Sequence, residues 1–221
     1  MQRHHYKFKM RKKIKQLILV CFLLVVVISA YFAIPKYLGA SIYPLSYQNE
    51  IIASSKEFSV DPNFIAAVIL TESRFRPDAH SGVGAIGLMQ IMPATGAGIA
   101  KQLGDKDFTT SKLYEPARNI RYGTYYLKQQ LDKYGGNESL VLMHYNGGPR
   151  AVNSYRTRGV LPRETQGFVR KVTGSKNMYE TIYGEWWKPK EKFIPLDDPS
   201  QKPTLNVREF WRALIAPKGG W

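Results

Sequence analysis

The segment at residues 61–95 constrains the fold of this 221-residue chain more than any other. It opens with Asp-Pro, a typical helix N-cap and first-turn proline, and continues into the apolar run FIAAVIL. Ile65, Val68 and Ile69 recur at three- and four-residue spacing, which predicts one buried helix face. Glu72 continues that face, and a glycine-rich loop follows at once. A core helix that ends in a carboxylate is therefore the feature to explain.

Glu72 is the first candidate functional residue. Burial beside an apolar stripe disfavours the charged carboxylate and raises its pKa. A glutamate that keeps its proton at the edge of a cleft can protonate a poor leaving group, such as the oxygen of a glycosidic bond. The alternative is a glutamate that turns to solvent or bonds a loop amide.

Helical signals dominate the rest of the globular region. Predicted helices cover residues 48–58, the stretch after Glu115-Pro116, the segment after the N-cap Asn137, and a final helix from residue 163 or 164 to 172. No alternating apolar run demands a large sheet, and no internal repeat is present. We therefore predict a compact, mainly α domain.

An apolar stretch at residues 14–34 carries a single charge, Lys15. Its 21 residues match a bilayer core of about 30 Å. Seven basic residues among the first fifteen predict a cytoplasmic N-terminus. We therefore predict a single-pass inner-membrane anchor with the rest of the chain in the periplasm or otherwise outside the cytoplasm. A cleaved signal peptide is the alternative, since Gly39-Ala40-Ser41 offers small residues for cleavage.

These features divide the chain into five predicted parts. They are a basic cytoplasmic arm (1–13), the transmembrane anchor (14–34), a linker (35–46), the catalytic domain (47–185) and a Pro-rich, aromatic C-terminal extension (186–221). The extension is expected to pack back on the domain through Trp186, Trp187, Phe210 and Trp211, or to dock a partner protein. The only cysteine, Cys21, lies in the predicted anchor, so no disulfide framework is expected.

The charge balance and the motifs of the sequence limit the classes of binding partner that it predicts. Lys and Arg number 32 against 17 Asp and Glu, and setting aside the seven basic residues among the first fifteen positions leaves 25 against 17, or +8. Such an excess suits adsorption to a polyanion. Zinc-finger spacing, a P-loop and RNP-like aromatics are all missing from the sequence, so nucleic acid is not a predicted partner. Four scattered histidines offer no metal-ligand spacing, and no metal or other cofactor is predicted.

Three motifs point to one family. The first reads Glu72-Ser73, Phe75, Pro77, Ala79, Ser81, Gly84-Ala85, Gly87-Leu88-Met89-Gln90, Met92-Pro93 and Thr95. The second is Tyr145-Asn146-Gly147-Gly148, and the third is Glu164-Thr165 with Phe168 where many relatives carry Tyr. Over residues 47–185 the chain resembles the soluble-type lytic transglycosylases, whose catalytic domain has a lysozyme-like fold. The resemblance implies that Glu72 is the catalytic acid.

The loop after Glu72 supplies further candidates. Ser81 is expected to hydrogen-bond the Glu72 carboxyl or a sugar acetamido group. Gly84 and Gly87 permit positive φ and close approach of a polymer to the backbone. Gln90 offers donors and an acceptor to an N-acetyl group, with a helix cap or surface bond as the alternative. Met89 offers an apolar contact to a sugar face, with core filling as the alternative.

The second motif predicts a turn after an apolar helix. The resemblance implies that Tyr145 orients or electrostatically assists Glu72, that Asn146 holds the turn or an acetamido group, and that Gly147 shapes the loop. A packed tyrosine and a turn-forming asparagine are the alternatives. His144 is not expected to be a ligand.

No second carboxylate stands at a persuasive position in the sequence, Asp78 being the nearest to Glu72. The resemblance then implies a substrate-assisted cleavage of the β-1,4 bond between N-acetylmuramic acid and N-acetylglucosamine of peptidoglycan. Glu72 would act first as acid and then as base, and the product would carry a 1,6-anhydro ring. A goose-type lysozyme that hydrolyses the bond, with Asp78 or another acid positioning water, is one alternative. A non-catalytic peptidoglycan-binding scaffold of an envelope machine is another.

Overall fold

The computed structural model describes residues 2–187 together with Arg208 and Trp211. Within that part of the chain there are seven α-helices, one 3₁₀ helix and no strand. The helices are α1 (Gln2–Ile42), α2 (Gln48–Phe58), α3 (Pro62–Ser73), α4 (Pro93–Leu103), the 3₁₀ helix (Thr110–Tyr114), α5 (Pro116–Lys133), α6 (Glu138–Arg158) and α7 (Arg163–Trp187). The prediction of a mainly helical domain is confirmed.

The predicted caps determine where two helices begin. The Asp61 carboxylate accepts a hydrogen bond of 2.9 Å from the backbone N–H of Asn63 at the start of α3. The Asn137 side chain accepts one of 3.1 Å from the backbone N–H of Leu140 at the start of α6. Each bond satisfies a donor that has no partner within its helix.

α3 forms the centre of the core. Every residue from Phe64 to Ile69 is 1% exposed or less. α7 packs along α3, while α2 packs on α5 and α6 on α7. The buried tyrosines of α7 also anchor the segment before α2, because Tyr179 Oη donates to the Pro44 carbonyl at 2.6 Å and Tyr183 Oη to the Tyr43 carbonyl at 2.9 Å.

α7 extends well beyond the predicted end at Val172. Met178, Tyr179, Ile182 and Tyr183 continue its buried face. Gly174 and polar neighbours hide this pattern in the sequence, but burial of the later aromatic residues stabilises the added turns. Tertiary packing therefore outweighs local propensity here.

The N-terminal region differs from the prediction. α1 runs without a break from Gln2 to Ile42, through Pro35 and most of the predicted linker. Among the described residues no helix is both long and apolar enough to cross a membrane, so the anchor predicted at residues 14–34 is not confirmed. Cys21 is exposed and forms no disulfide.

Part of the C-terminal extension contacts the rest of the chain. Trp187 Nε1 donates to Asn63 Oδ1 at 2.7 Å, which ties the end of α7 to the start of α3. Trp211 stacks on Tyr31 with ring centroids 5.7 Å apart. The side chains of Trp186 and Phe210 lie outside the described residues.

Candidate active site

Glu72 lies in the last turn of α3, at the end of the stripe formed by Ile65, Val68 and Ile69, all of which are fully buried. Its own side chain is partly buried. Burial, and secondarily the negative charge of Glu164, raises the pKa of Glu72 to about 8. The prediction of a raised pKa is confirmed, and the carboxyl is mainly protonated at neutral pH.

Glu164 is the second carboxylate that the sequence prediction lacked. It is exposed, in the first turn of α7, and its charge reaches Glu72 although 92 positions separate them. Packing of α3 against α7 accounts for this proximity. Because the pair is remote in sequence, no spacing rule along one helix reveals it.

Gly147 allows α6 and α7 to approach each other beside Glu164. A Cβ atom at Gly147 would lie 2.5 Å from the Ala151 Cβ and 2.8 Å from the Thr165 Oγ1. Thr165 is itself buried in the first turn of α7. The sequence predicts that Gly147 shapes a loop, whereas in the structure Gly147 permits close contact between two helices.

Two glycines shape the loop after Glu72 as predicted. Gly84 has φ of 92° and Gly87 has φ of 80°. A Cβ at Gly87 would lie 2.3 Å from the Asn119 Nδ2 and 2.4 Å from the Leu113 carbonyl oxygen. Gly87 therefore has both a conformational and a steric reason to be glycine.

Asn119 holds this loop and was missed by the sequence prediction. It is fully buried on α5. Its Oδ1 accepts from the Met89 backbone N–H at 2.7 Å, and its Nδ2 donates to the carbonyls of Ile86 at 2.9 Å and Leu113 at 2.7 Å. The sequence carries no distinct signal for this role, because Asn119 shares the buried side of α5 with two other polar residues, Thr124 and Gln130.

Ser81 and Gln90 both bond within the loop. Ser81 Oγ accepts from the Ala85 backbone N–H at 2.9 Å, and the predicted bond to the Glu72 carboxyl is not formed. Gln90 Nε2 donates to the carbonyls of Gly87 at 2.9 Å and Ala79 at 3.2 Å. Both amide protons of Gln90 are thus occupied, and its Oε1 is left to accept from a ligand.

Met89 is fully buried, so the predicted contact of its side chain with a sugar is wrong and core filling is right. Its sulfur fills the space left by Gly123, where a Cβ would lie only 2.3 Å away. The Met89 carbonyl accepts a 2.7 Å hydrogen bond from Tyr145 Oη. The backbone of Met89 thus positions Tyr145.

Tyr145 faces Glu72. Burial raises the pKa of Tyr145 well above its ordinary value, and the nearby charges of Glu72 and Tyr126 add to the effect. The phenol therefore stays protonated and donates a hydrogen bond to the Met89 carbonyl. The predicted turn after Tyr145 is a kink inside α6, at Gly148 with φ of 67°. Asn146, just before the kink, is partly buried, and its role stays a prediction.

A pocket of about 200 Å³ adjoins Tyr145. Its polar lining includes Gln90, Tyr126 and His144, set among apolar residues such as Ile91. A hydrogen bond of 2.6 Å joins His144 Nδ1 and Tyr134 Oη. Burial lowers the pKa of His144. A few polar groups on an apolar wall suit a sugar ring. Among the described residues no cluster of histidine, cysteine or carboxylate side chains could hold a metal ion.

The chain is similar to known transglycosylases in sequence and in structure. The transglycosylase SLT domain family model matches residues 49–159. A transglycosylase of Enterobacteria phage PRD1 is 31% identical over 166 residues, which cover 75% of this chain and 56% of the phage protein. The soluble lytic murein transglycosylase of Salmonella typhimurium is 29% identical over 65% of this chain and 24% of its own length.

Comparison with solved structures leads to the same group of proteins. An inactive mutant of the lytic transglycosylase Slt from Pseudomonas aeruginosa matches with a TM-score of 0.61 and 27% identity, over 74% of this chain and 27% of that one. The 70 kDa soluble lytic transglycosylase of Escherichia coli matches with a TM-score of 0.60 and 28% identity, over 64% of this chain and 25% of that one. This chain has the lysozyme-like fold of lytic transglycosylases and belongs to the transglycosylase SLT domain family.

Proposed function

We propose that this protein is a peptidoglycan lytic transglycosylase in which Glu72 acts as acid and then as base. The observation that carries the proposal is a glutamate with a pKa of about 8 at the end of a buried helix stripe. Such a group holds a proton at neutral pH and can release it to a leaving oxygen. Family membership and the names of the relatives support peptidoglycan as the substrate.

The first step breaks the bond between C1 of N-acetylmuramic acid and the bridging oxygen. Glu72 gives its proton to that oxygen, while the 2-acetamido group or an oxocarbenium-like state supports C1. In the second step the C6 hydroxyl of the same muramyl residue attacks C1, and Glu72 takes the hydroxyl proton. The two steps return Glu72 to its starting state and consume no water.

The surrounding residues have proposed supporting roles. The charge of Glu164 helps Glu72 to keep its proton before cleavage. Tyr145, held by the Met89 carbonyl, orients Glu72. Gln90 Oε1 and Asn146 receive the acetamido groups, while Ser81 stabilises the loop that carries Gln90.

The mass of the products tests the proposal. The full chain is incubated with purified peptidoglycan, and released disaccharide peptides are weighed by mass spectrometry. We expect 1,6-anhydro ends, which lack one water relative to reducing ends. Reducing, hydrated ends would instead indicate a lysozyme-type hydrolase, and no release would favour a binding scaffold.

Activity is expected to fall as pH rises through about 8, because the first step needs protonated Glu72. The pH dependence of the rate of muropeptide release measures this fall.

The titration of Glu72 also affects the stability of the fold. Between the ordinary pKa of 4.5 and the folded pKa of about 8, the folded state binds one more proton at Glu72 than the unfolded state, so the free energy of unfolding falls with rising pH. Glu72→Gln lacks this contribution. Chemical denaturation of both proteins across this range checks it, and equal slopes would contradict the raised pKa.

Glu164→Gln is expected to lower the pKa of Glu72, because it removes the negative charge that raises it. The alkaline limb of the pH–rate profile should therefore move to lower pH. Glu180→Gln is the matched control, since Glu180 is also exposed on α7 but lies about 24 Å farther along the helix. An unchanged limb in Glu164→Gln would show that this charge does not reach Glu72.

The same proposal places the catalytic domain outside the cytoplasm, where peptidoglycan lies. The +8 charge beyond the first fifteen residues favours adsorption to this anionic polymer. Docking of an envelope-machine protein on residues 186–221 stays a prediction.

A further inference from the structure

His144 is a pocket residue that the proposed mechanism does not use. It lines the pocket together with Gln90, Tyr126 and Tyr145, although only 7% of its surface is exposed. Its ring centre lies 6.2 Å from that of Tyr126. The sequence offers no reason to expect a ligand role for His144, so its place in the pocket is a finding of the structure.

The two ring nitrogens of His144 have different surroundings. Nδ1 shares the 2.6 Å hydrogen bond with Tyr134 Oη, while Nε2 has no partner within the described part of the chain. In that part, the buried side-chain nitrogen and oxygen atoms without a partner are Thr124 Oγ1 and Gln130 Oε1. Nε2 of His144 is therefore not sealed in the core, and it can meet a ligand in the pocket that His144 lines.

Tyr134 fixes which nitrogen of His144 carries the proton. Lys133 Nζ and the Arg156 guanidinium carbon each lie 5.5 Å from the centre of the Tyr134 ring. Two cations beside a phenol make its hydroxyl a stronger donor and a weaker acceptor. Burial and the charge of Lys133 lower the pKa of His144, so the imidazole is neutral at pH 7. A neutral imidazole that accepts at Nδ1 carries its proton at Nε2.

The Nε2–H donor of His144 complements an acceptor in the same pocket. The amide protons of Gln90 are occupied within its loop, which leaves Gln90 Oε1 as an acceptor. A secondary amide presents the matching pair, one N–H and one carbonyl. Ile91 and Ile99 add apolar lining that suits a methyl group. An acetamido group matches all of these features.

We infer that His144 is a specificity-determining residue, which donates a hydrogen bond from Nε2 to the carbonyl of a 2-acetamido group, and that Tyr134 is the positioning residue that orients it. This role rests on the proposed function, which gives the pocket a glycan as its ligand. His144 lies outside the three motifs through which the chain resembles its family. Discrimination between acetamido and hydroxyl sugars thus depends on a residue particular to this pocket.

Two amide side chains separate the roles of the two nitrogens. The glutamine amide nitrogen reaches the position of Nε2, whereas the asparagine amide nitrogen reaches only that of Nδ1. His144→Gln therefore keeps the donor in the pocket, and His144→Asn keeps only the bond to Tyr134. Both are made in the full chain with Glu72→Gln, which prevents cleavage. Calorimetry measures binding of chitotetraose and of cellotetraose, which has a hydroxyl in place of each acetamido group, and thermal unfolding shows that each variant is folded.

His144→Asn is expected to bind chitotetraose about fivefold more weakly, which corresponds to one hydrogen bond. His144→Gln should change this affinity less than twofold, and neither variant should change the weaker binding of cellotetraose. An equal loss on both sugars would overturn the inference, as would an equal loss in the two variants or no loss in His144→Asn. A parent protein that binds the two sugars equally would overturn it as well.

Tyr134→Phe tests the positioning role and serves also if the His144 variants fail to fold. Phenylalanine keeps the ring beside Lys133 and Arg156 and removes only the hydroxyl. Nitrogen NMR of the imidazoles at pH 7 should show His144 with its proton on Nε2 in the parent and a mixture of tautomers in Tyr134→Phe, with an affinity loss of about twofold. A proton on Nδ1 in the parent would overturn the inference.

The proposed function can fail separately from this role. Binding is read without turnover, so a wild-type chain that showed the expected sugar discrimination but released no anhydro products would refute the proposed function alone. A wild-type chain that released these products while its His144 variants bound both sugars like the parent would refute the role of His144 alone.

Discussion

Glu72→Gln is expected to lower the rate of muropeptide release by about 10³- to 10⁴-fold, the upper range for a residue that acts as both acid and base. Glutamine has nearly the same shape but cannot donate a proton to the glycosidic oxygen or take one from the C6 hydroxyl. The fold should be unaffected, because the carboxyl is already mainly neutral at pH 7. Mass spectrometry of released products measures the rate, and circular dichroism checks the fold.

Glu180→Gln is the matched control for this substitution. Glu180 is exposed on α7, and its replacement makes the same change from carboxyl to amide at a position remote from the site. A folded Glu72→Gln protein that retained a tenth or more of the activity would rule out Glu72 as the catalytic acid.

Asn119→Ala is expected to lower the free energy of unfolding by about 3 kcal/mol, because it removes three buried hydrogen bonds of about 1 kcal/mol each. These bonds join Asn119 to the Met89 N–H and to the carbonyls of Leu113 and Ile86, and the Ile86 carbonyl keeps a further bond, from the Ile91 N–H. Activity should fall as well, since Met89 and its neighbour Gln90 lie on the loop that Asn119 holds. Urea denaturation measures the change in stability.

Asn137→Ala provides the comparison for Asn119→Ala. Asn137 is exposed and caps α6 with one hydrogen bond, so its loss should cost about 1 kcal/mol. If Asn119→Ala cost no more than this cap, the buried asparagine would not be what holds the loop.

Local features were predictable. The cap residues Asp61 and Asn137 accept hydrogen bonds from backbone N–H groups two or three positions away, so their effect can be predicted from a short stretch of sequence. The positive φ of Gly84 and Gly87 follows from the missing Cβ. The raised pKa of Glu72 follows from its register on the apolar stripe of α3.

Other features depend on which helices meet. Met89 was assigned a sugar contact, but its side chain points into the core because Gly123 of α5 leaves room for it. Ser81 bonds the backbone of its own loop instead of Glu72. In both cases the residue type allowed two partners, and packing selected one.

The sequence by itself determined the helical class, the start of most helices, the family and the placement of Glu72 at the end of a buried stripe. These properties arise from periodicity and from groups a few positions apart. Only the tertiary structure decided that Glu164 adds its charge to Glu72, that Asn119 holds the loop and that Tyr145 is held by the Met89 carbonyl. Those contacts join residues 30 to 92 positions apart, and their energies depend on distance and burial that exist only once the helices have packed.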